Sequence, residues 1–329
     1  MRNIFIGLAS AIALGTAFTA VGQTAALWPP ADKAVQIIVP GPGGGSTSDS
    51  IARLIADELG KRLKGNFIVE NHAGVNGNIG AGIAAEASND GSKLLFSWAG
   101  TLAVSPSLYN KLPFNPQSSF DAIGLIATVP NVLIVSNSMP VHNMAEFTDY
   151  VKQHPGVVNF GSTGNGSSMH LAGELYMGET STNMVHVPYS APSQATNNLV
   201  SGEIQSMFQL IPGIIGQIKA GKVRALGVMA TERSSALPDV PTMAEQGYPN
   251  LISSTWFALL APKGISADII ERCNQALNEI LQDPEVKQKL AAMGAIALGG
   301  TPQDLDRRLT SDLKKWQKII RGANIHVQY

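Results

Sequence analysis

A single cysteine, Cys273, is the whole thiol content of the 329-residue chain, so no internal disulfide can form in any redox compartment. It falls in the series Ile269, Ile270, Cys273, Leu277, Ile280 and Leu281, which is helical spacing on one apolar face. That spacing reads as a small core hydrophobe and not as a reactive thiol. Neither sign of charge is in excess, with 23 Lys and Arg against 24 Asp and Glu. A nucleic-acid surface usually demands a basic patch, and this balance argues against one. The six histidines are scattered, and no pair has metal-ligand helical spacing. No Gly-x-Ser-x-Gly stretch is present, so the nucleophile elbow of a serine hydrolase is missing. No glycine loop ends in Lys-Ser or Lys-Thr, which excludes a P-loop.

Long apolar runs are also missing, except at the start. After Arg2, the stretch from Ile4 to Val21 carries no charge, but Gly7, Ser10, Gly15, Thr16 and Thr19 dilute it. A spanning helix wants roughly 20 strongly apolar residues. Thr24-Ala25-Ala26 offers the small residues that a signal peptidase reads, so residues 1–26 are expected to be a signal peptide cleaved near Ala26. The mature chain is then an exported protein of 303 residues, with 22 basic side chains against 24 acidic ones. That length is large for one compact core and divides naturally into two lobes.

What is present is an alternation of strands and helices, the mark of an α/β fold. Strands are expected at 35–40, 67–70, 94–98, 123–127, 132–135, 157–160, 184–187, 204–208, 225–229 and 256–260. The first helix carries Ile51, Leu54, Ile55, Leu59 and Leu63 on one face. One C-terminal helix starts near Ser266, and another has Thr301 as N-cap and Pro302 at its first position.

One internal echo bears most on function. Gly43-Gly44-Gly45-Ser46-Thr47-Ser48 joins a strand to a helix in the first half, and Gly161-Ser162-Thr163-Gly164-Asn165-Gly166-Ser167-Ser168 does so in the second. Each loop ends at a helix N-terminus, where unpaired N–H groups and the positive end of the helix dipole meet an anion. Neither loop contains Lys or Arg, so the donors are N–H and O–H groups, each worth ~1.5–3 kcal/mol to a charged acceptor. A dinucleotide fingerprint is a poorer fit, because Ser46 stands where its third glycine belongs and the acid Glu70 comes late. Asp49 suits its helix dipole as a capping acid. His170 either touches ligand or ties its own loop to backbone. Trp98, Tyr189 and Trp256 lie near strand ends, where α/β proteins bind ligands, although core packing is the default for each.

The chain resembles the Bug-type solute-binding proteins of tripartite tricarboxylate transporters. The resemblance rests on Ile38-Val39-Pro40 with the first loop and Asp49-x-x-Ala52-Arg53, then Val69-Glu70-Asn71 and Gly77-Asn78-Ile79-Gly80-Ala81. It continues through Pro130-Asn131-Val132-Leu133, Gly164-Asn165-Gly166-Ser167 and His170-Leu171-Ala172-Gly173-Glu174-Leu175 to His186-Val187-Pro188-Tyr189. Lys219–Leu226 and Leu237-Pro238-Asp239-Val240-Pro241-Thr242 complete it.

This resemblance implies a two-lobed periplasmic-binding-protein fold with a hinge and an interlobe ligand cleft. Lobe 1 is then 27–127 plus 250–329, and lobe 2 is 128–249. It further implies a small carboxylate ligand, integral-membrane transporter subunits as partners, a monomer, no cofactor and no catalysis. A ligand-binding sensor partner, or an exported enzyme acting on a carboxylate, stays open as an alternative. Ser46, Thr47 and Ser48 are expected to hold one carboxylate, and Ser162, Thr163, Asn165, Ser167 and Ser168 that group or a second one. Asn78, Thr101, Tyr189, Gln209 and His170 are the next candidates. Three departures from the family pattern stand out: a slightly long first loop, Trp98 in place of a small residue, and Gln209 in place of Asp. Trp98 suggests a flat wall suited to an aromatic, terephthalate-like acid.

Overall fold

The computed structural model describes residues 28–44 and 46–322. The signal peptide assigned to residues 1–26 and Gly45 of the first loop lie outside the described residues. Strand β1 (Ala34–Val39) is an apolar run held parallel between β2 (Asn66–Asn71) and β3 (Lys93–Trp98), where both faces are covered. Helix α1 (Thr47–Leu63) links β1 to β2, and α2 (Asn78–Ala85) links β2 to β3. A π-helical turn at Gly100–Val104 follows and runs into α3 (Ser105–Leu108).

Strand β4 (Phe120–Ser136) differs from the sequence expectation of two strands, 123–127 and 132–135. It passes straight through Pro130 and belongs to two sheets. Up to Pro130 it pairs antiparallel with the strand at Ser254–Pro262, and from Asn131 it pairs with strands at Ser206–Leu210 and Val223–Val228. A proline reads as a break because it has no N–H for a ladder. Here it sits where one set of partners ends and the next begins.

The remaining elements fall into place around β4. They are α4 (Met144–Gln153), β5 (Asn159–Ser162), α5 (Ser168–Thr180), β6 (Val185–Pro188), α6 (Pro192–Ser201), β7 (Ser206–Leu210), α7 (Ile215–Lys219) and β8 (Val223–Val228). After these come β9 (Ser254–Pro262), α8 (Ala267–Gln282), α9 (Pro284–Ala292), β10 (Ile296–Ala297) and α10 (Pro302–Gly322). The first sheet has the order β2-β1-β3-β9-β4-β10, and the second β8-β4-β7-β5-β6. This is the two-lobed α/β architecture expected.

Each sheet is buried on both faces. In the first, Val35, Ile37, Phe96 and Phe257 pack with Ile55 and Leu59 of α1 and with Cys273 and Leu277 of α8. On the opposite face, Ile38, Leu95 and Trp256 meet Ala81 of α2 and Leu305 and Leu309 of α10. Leu133, Phe160 and Phe208 of the second sheet meet Phe147 of α4 and Tyr176 of α5, and its other face packs Ile134 and Met207 against Leu199 of α6. Cys273 is fully buried, and desolvation pushes its thiol up to about 12, as an inert core residue requires. Trp256 is core as well, with its indole N–H donating to Asp312 at 2.6 Å. The expected caps are in place: Ser266 Oγ accepts from the Ile269 N–H, and Thr301 and Asp304 cap each other.

Where the chain passes between the sheets, three backbone bonds close a ring. Asn131 N–H donates to Ser253 O (2.9 Å), Ser253 N–H to Met229 O (2.9 Å), and Met229 N–H to Asn131 O (2.8 Å). The Asn131 side chain, fully buried, donates to Phe208 O at 2.8 Å and accepts from Ser253 Oγ at 3.0 Å. Replacing Asn131 with Ala leaves a buried carbonyl and a buried hydroxyl without these partners, at ~1–3 kcal/mol each. We expect Asn131→Ala to lose about 2–5 kcal/mol in urea unfolding, and Asn131→Asp, which cannot donate, to lose a similar amount. Unchanged midpoints in both would show that the ring holds without this side chain.

Candidate functional site

Both loop-to-helix junctions are built the same way. Ser46 caps α1 with φ −62° and ψ 157°, and its Oγ accepts the Asp49 N–H at 3.2 Å. Ser167 caps α5 with φ −63° and ψ 156°, and its Oγ accepts the His170 N–H at 3.3 Å. The next N–H groups, on Ser50 and Leu171, return to the Ser46 and Ser167 carbonyls. The first-turn N–H groups of Thr47 and Ser48, and of Ser168 and Met169, precede any carbonyl that their helices can offer. Each helix therefore opens with two donors and its positive dipole end directed out of the loop.

Around the first junction the structure gathers several expected residues. Ser48 is buried, with its Oγ 3.2 Å from Ser46 Oγ, and Ser46 Oγ also donates to Pro42 O at 2.7 Å. Thr47 is half-buried at the first helical position. The half-buried Trp98 ring lies over Gly41, where a Cβ would come within 3.2 Å of it, and stands edge-on to Phe257 at 6.4 Å. Thr101 is fully buried and donates to Asn76 O at 2.8 Å. Gly77, at φ +87°, leaves no room for a Cβ against Thr101 Oγ1 and Pro40 O, which draws the β2–α2 loop onto the end of β1. Asn78 follows it, buried, with neither its amide nitrogen nor its oxygen hydrogen-bonded. Asp49 is buried and paired with Arg53 at 3.0 Å, so this junction carries no net charge from the pair.

At the second junction most polar atoms are spent on the loop itself. Ser162 Oγ accepts the Gly164 N–H at 3.0 Å and lies 2.5 Å from His186 Nε2. His170 Nδ1 accepts the Gly166 N–H at 3.0 Å, which puts the ring proton on Nε2, 3.3 Å from Glu174. His170 thus ties its own loop to backbone. The imidazoles of His170 and His186 stack at 4.0 Å. Thr163 and Ser168 are half-buried, and Asn165 is exposed at the tip. Tyr189 extends β6, its N–H donating to Ser162 O at 2.9 Å, but its hydroxyl accepts from Asn198 at 3.0 Å, within its own lobe.

Gln209 lies on β7, two residues beyond the Gly161–Met207 pairing, level with the point where β5 opens into this loop. It is buried; its Oε1 accepts the Leu210 N–H at 2.9 Å, and its Nε2 has no hydrogen-bond partner. Ser97 and Thr255, not expected from the sequence, are also buried with unpartnered hydroxyls near strand ends.

Chemically, the arrangement offers donors to an anion. A serine on an imidazole can also begin a hydrolase site, but burial, followed by the neighbouring His170, pushes His186 down to about 3. Such an imidazole is a weak base at neutral pH. Among the described residues no group of three or more His, Cys, Asp or Glu is placed to hold a metal ion, and no helix is long and apolar enough to cross a membrane.

Comparison with known proteins gives a consistent result. The family model for the tripartite tricarboxylate transporter family receptor matches residues 51–325. BugT of Bordetella pertussis is 34% identical over 294 residues, which is 88% of this chain and 90% of BugT. Among solved structures, an R. palustris protein with adipate is similar at a TM-score of 0.86 and 30% identity, over 91% of this chain and 100% of that one. MatC from Rhodopseudomonas palustris, with bound malate, gives 0.79 and 28%, over 88% and 99%.

The depressed His186 has a consequence for stability. An imidazole in the unfolded chain titrates near 6.5. Between about pH 6.5 and 3 the unfolded chain takes up a proton that folded His186 refuses, so stability is full above this window and falls as pH drops through it. We expect urea-derived stability to decline from pH 7 to pH 4 by under ~1.4 kcal/mol per pH unit on account of this group. His186→Phe, which keeps a ring in the stack, should flatten that slope. An equally steep slope in the variant would show that groups other than His186 carry it.

Proposed function

Since the chain belongs to the tripartite tricarboxylate transporter receptor family, we propose that it is a periplasmic solute-binding protein that captures a small carboxylate and passes it to integral-membrane transporter subunits. Residues 27–127 with 250–329, and residues 128–249, would form the two jaws, working as a monomer. The observation that carries this reading is the pair of serine-capped helix N-termini, one from each sheet, with matching backbone angles and no cation in either loop. Thr47 and Ser48 would donate to one carboxylate, and Thr163, Asn165 and Ser168 to the same group or to a second. Ser46, Ser162, Ser167 and His170, whose polar atoms are engaged locally, would shape the two loops. Four or five charge-assisted bonds, after the costs of association, are compatible with about micromolar affinity.

We infer the ligand class from two positions. Trp98 presents a half-buried ring beside Gly41 of the first loop, which favours a flat partner by ~0.5–1.5 kcal/mol beyond burial. An aromatic mono- or dicarboxylate, terephthalate-like in shape, would use it. Gln209 offers an unpartnered N–H where the resembling family commonly carries Asp, and it repels no carboxylate. An acid there would attract a ligand ammonium and oppose a second carboxylate, by about 4 kcal/mol at 4 Å and an effective dielectric near 20, before relaxation. The similar proteins solved with adipate and malate hold dicarboxylates without an ammonium, in keeping with that choice.

Two measurements test this. A thermal-shift screen over aromatic and aliphatic acids should rank an aromatic carboxylate first, with ~2.7 kcal/mol of stabilisation at 100 times its Kd. If adipate or citrate binds more tightly than every aromatic acid, Trp98 does not select the ligand. Calorimetry on Gln209→Asp should then show at least a tenfold loss for the best dicarboxylate, about 1.4 kcal/mol, and clearly less for its monoacid analogue. Equal losses, or none, would remove Gln209 from the site.

A further inference from the structure

One small apolar cluster belongs to neither sheet. Val104 ends the π-helical turn after β3, Leu108 ends α3, Leu171 lies in the first turns of α5, and Ile320 is near the end of α10. All four are at most 6% exposed. Two of them follow a strand of the first sheet, and Leu171 follows the second junction of the other sheet. The contact extends to the loop itself. A Cβ on Gly166 would overlap Leu108 Cδ1 and approach Val104 Cγ1 to 3.5 Å. Gly166 holds φ +76°, and its N–H is fixed by His170, so the loop presents bare, oriented backbone to the Leu108 side chain.

We infer that Leu108 and Val104 are positioning residues of the ligand site: seated on Gly166, they hold the second anion-facing loop from the opposite sheet and favour the shut arrangement of the cleft. This rests on the two-loop reading above. The residues touch no ligand in this scheme; they raise affinity by raising the population of the binding-competent form. Apparent Kd equals the intrinsic value divided by that population. In this scheme packing acts only when the loops are together, because a movement that parted Leu108 from Gly166 would wet both surfaces. The overlap at Gly166 makes the coupling specific, since a single methyl group there would displace Leu108.

The buried Cys273 permits a direct test, because it should stay unlabelled while Lys152→Cys on α4 and Glu271→Cys on α8 take spin labels. Distances between the labels, measured without ligand, report opening. The parent should show a short-distance population, and Leu108→Ala should reduce its ratio to the open form at least tenfold, with Leu108→Met retaining most of it. Gly166→Ala should deplete it as well, and adding Leu108→Ala to Gly166→Ala should cost nothing more or restore part of it. Far-UV circular dichroism confirms that each variant is folded, and Leu108→Val substitutes if Leu108→Ala is not. A parent that is wholly open, a Leu108→Ala distribution like the parent's, or losses that simply multiply in the double variant would each overturn the inference. Calorimetry with adipate forms the second arm, with at least a tenfold weaker Kd expected for Leu108→Ala. If adipate gives no heat with any form while the distances shift as expected, adipate is not a ligand of this cleft and the positioning role stands.

Discussion

The closed ring of three backbone hydrogen bonds among Asn131, Met229 and Ser253 is the constraint on which the rest of the molecule depends. β4 belongs to both sheets, so any movement of one sheet relative to the other must be absorbed at this crossing. A buried crossing of that kind is tolerable only if its polar backbone is paired. The ring does this with three chain segments that are remote in sequence, and the Asn131 amide extends it to Phe208 and Ser253. Pro130 stands beside it for the complementary reason: a residue without an N–H leaves no donor unpaired where the strand changes partners.

Much of this was legible in the sequence, because it depends on local chemistry. Glycine followed by Ser and Thr before an apolar helical face fixes a capped helix N-terminus, and the matching angles at Ser46 and Ser167 follow from that. Cys273 within a helical series of Ile and Leu could be placed in a core, and Thr301-Pro302 at a helix start. What escaped depends on partners far along the chain. Pro130 fell in the gap between two expected strands, 123–127 and 132–135, because nothing local shows that a second sheet takes over. His186 was visible only as part of a four-residue motif, and its stacking on His170 needs β5, β6 and α5 to be assembled. Leu108 gave no signal at all: its partner is a glycine, which contributes no side chain to any pattern.

The candidate residues also divide by the work already assigned to their atoms. Ser162, Ser167 and His170 spend their hydrogen-bonding capacity shaping the second loop, and Thr101 spends its hydroxyl on the β2–α2 loop. Asn78, Ser97, Gln209 and Thr255 instead carry buried polar atoms with no hydrogen-bond partner. Such atoms are costly, and native proteins keep few of them without a reason. Ser97, Gln209 and Thr255 lie near strand ends, and Asn78 opens α2.

The absence of lysine and arginine from both loops has a further consequence. A ligand gripped by ammonium or guanidinium groups owes part of its affinity to long-range attraction, which mobile ions weaken over a distance of about 10 Å at 0.1 M. Backbone N–H and hydroxyl groups act over a single bond length and are screened far less. A receptor built on Thr47, Ser48 and Ser168 would therefore keep its hold when the surrounding fluid turns from fresh to saline, and would gain little from electrostatic steering in either.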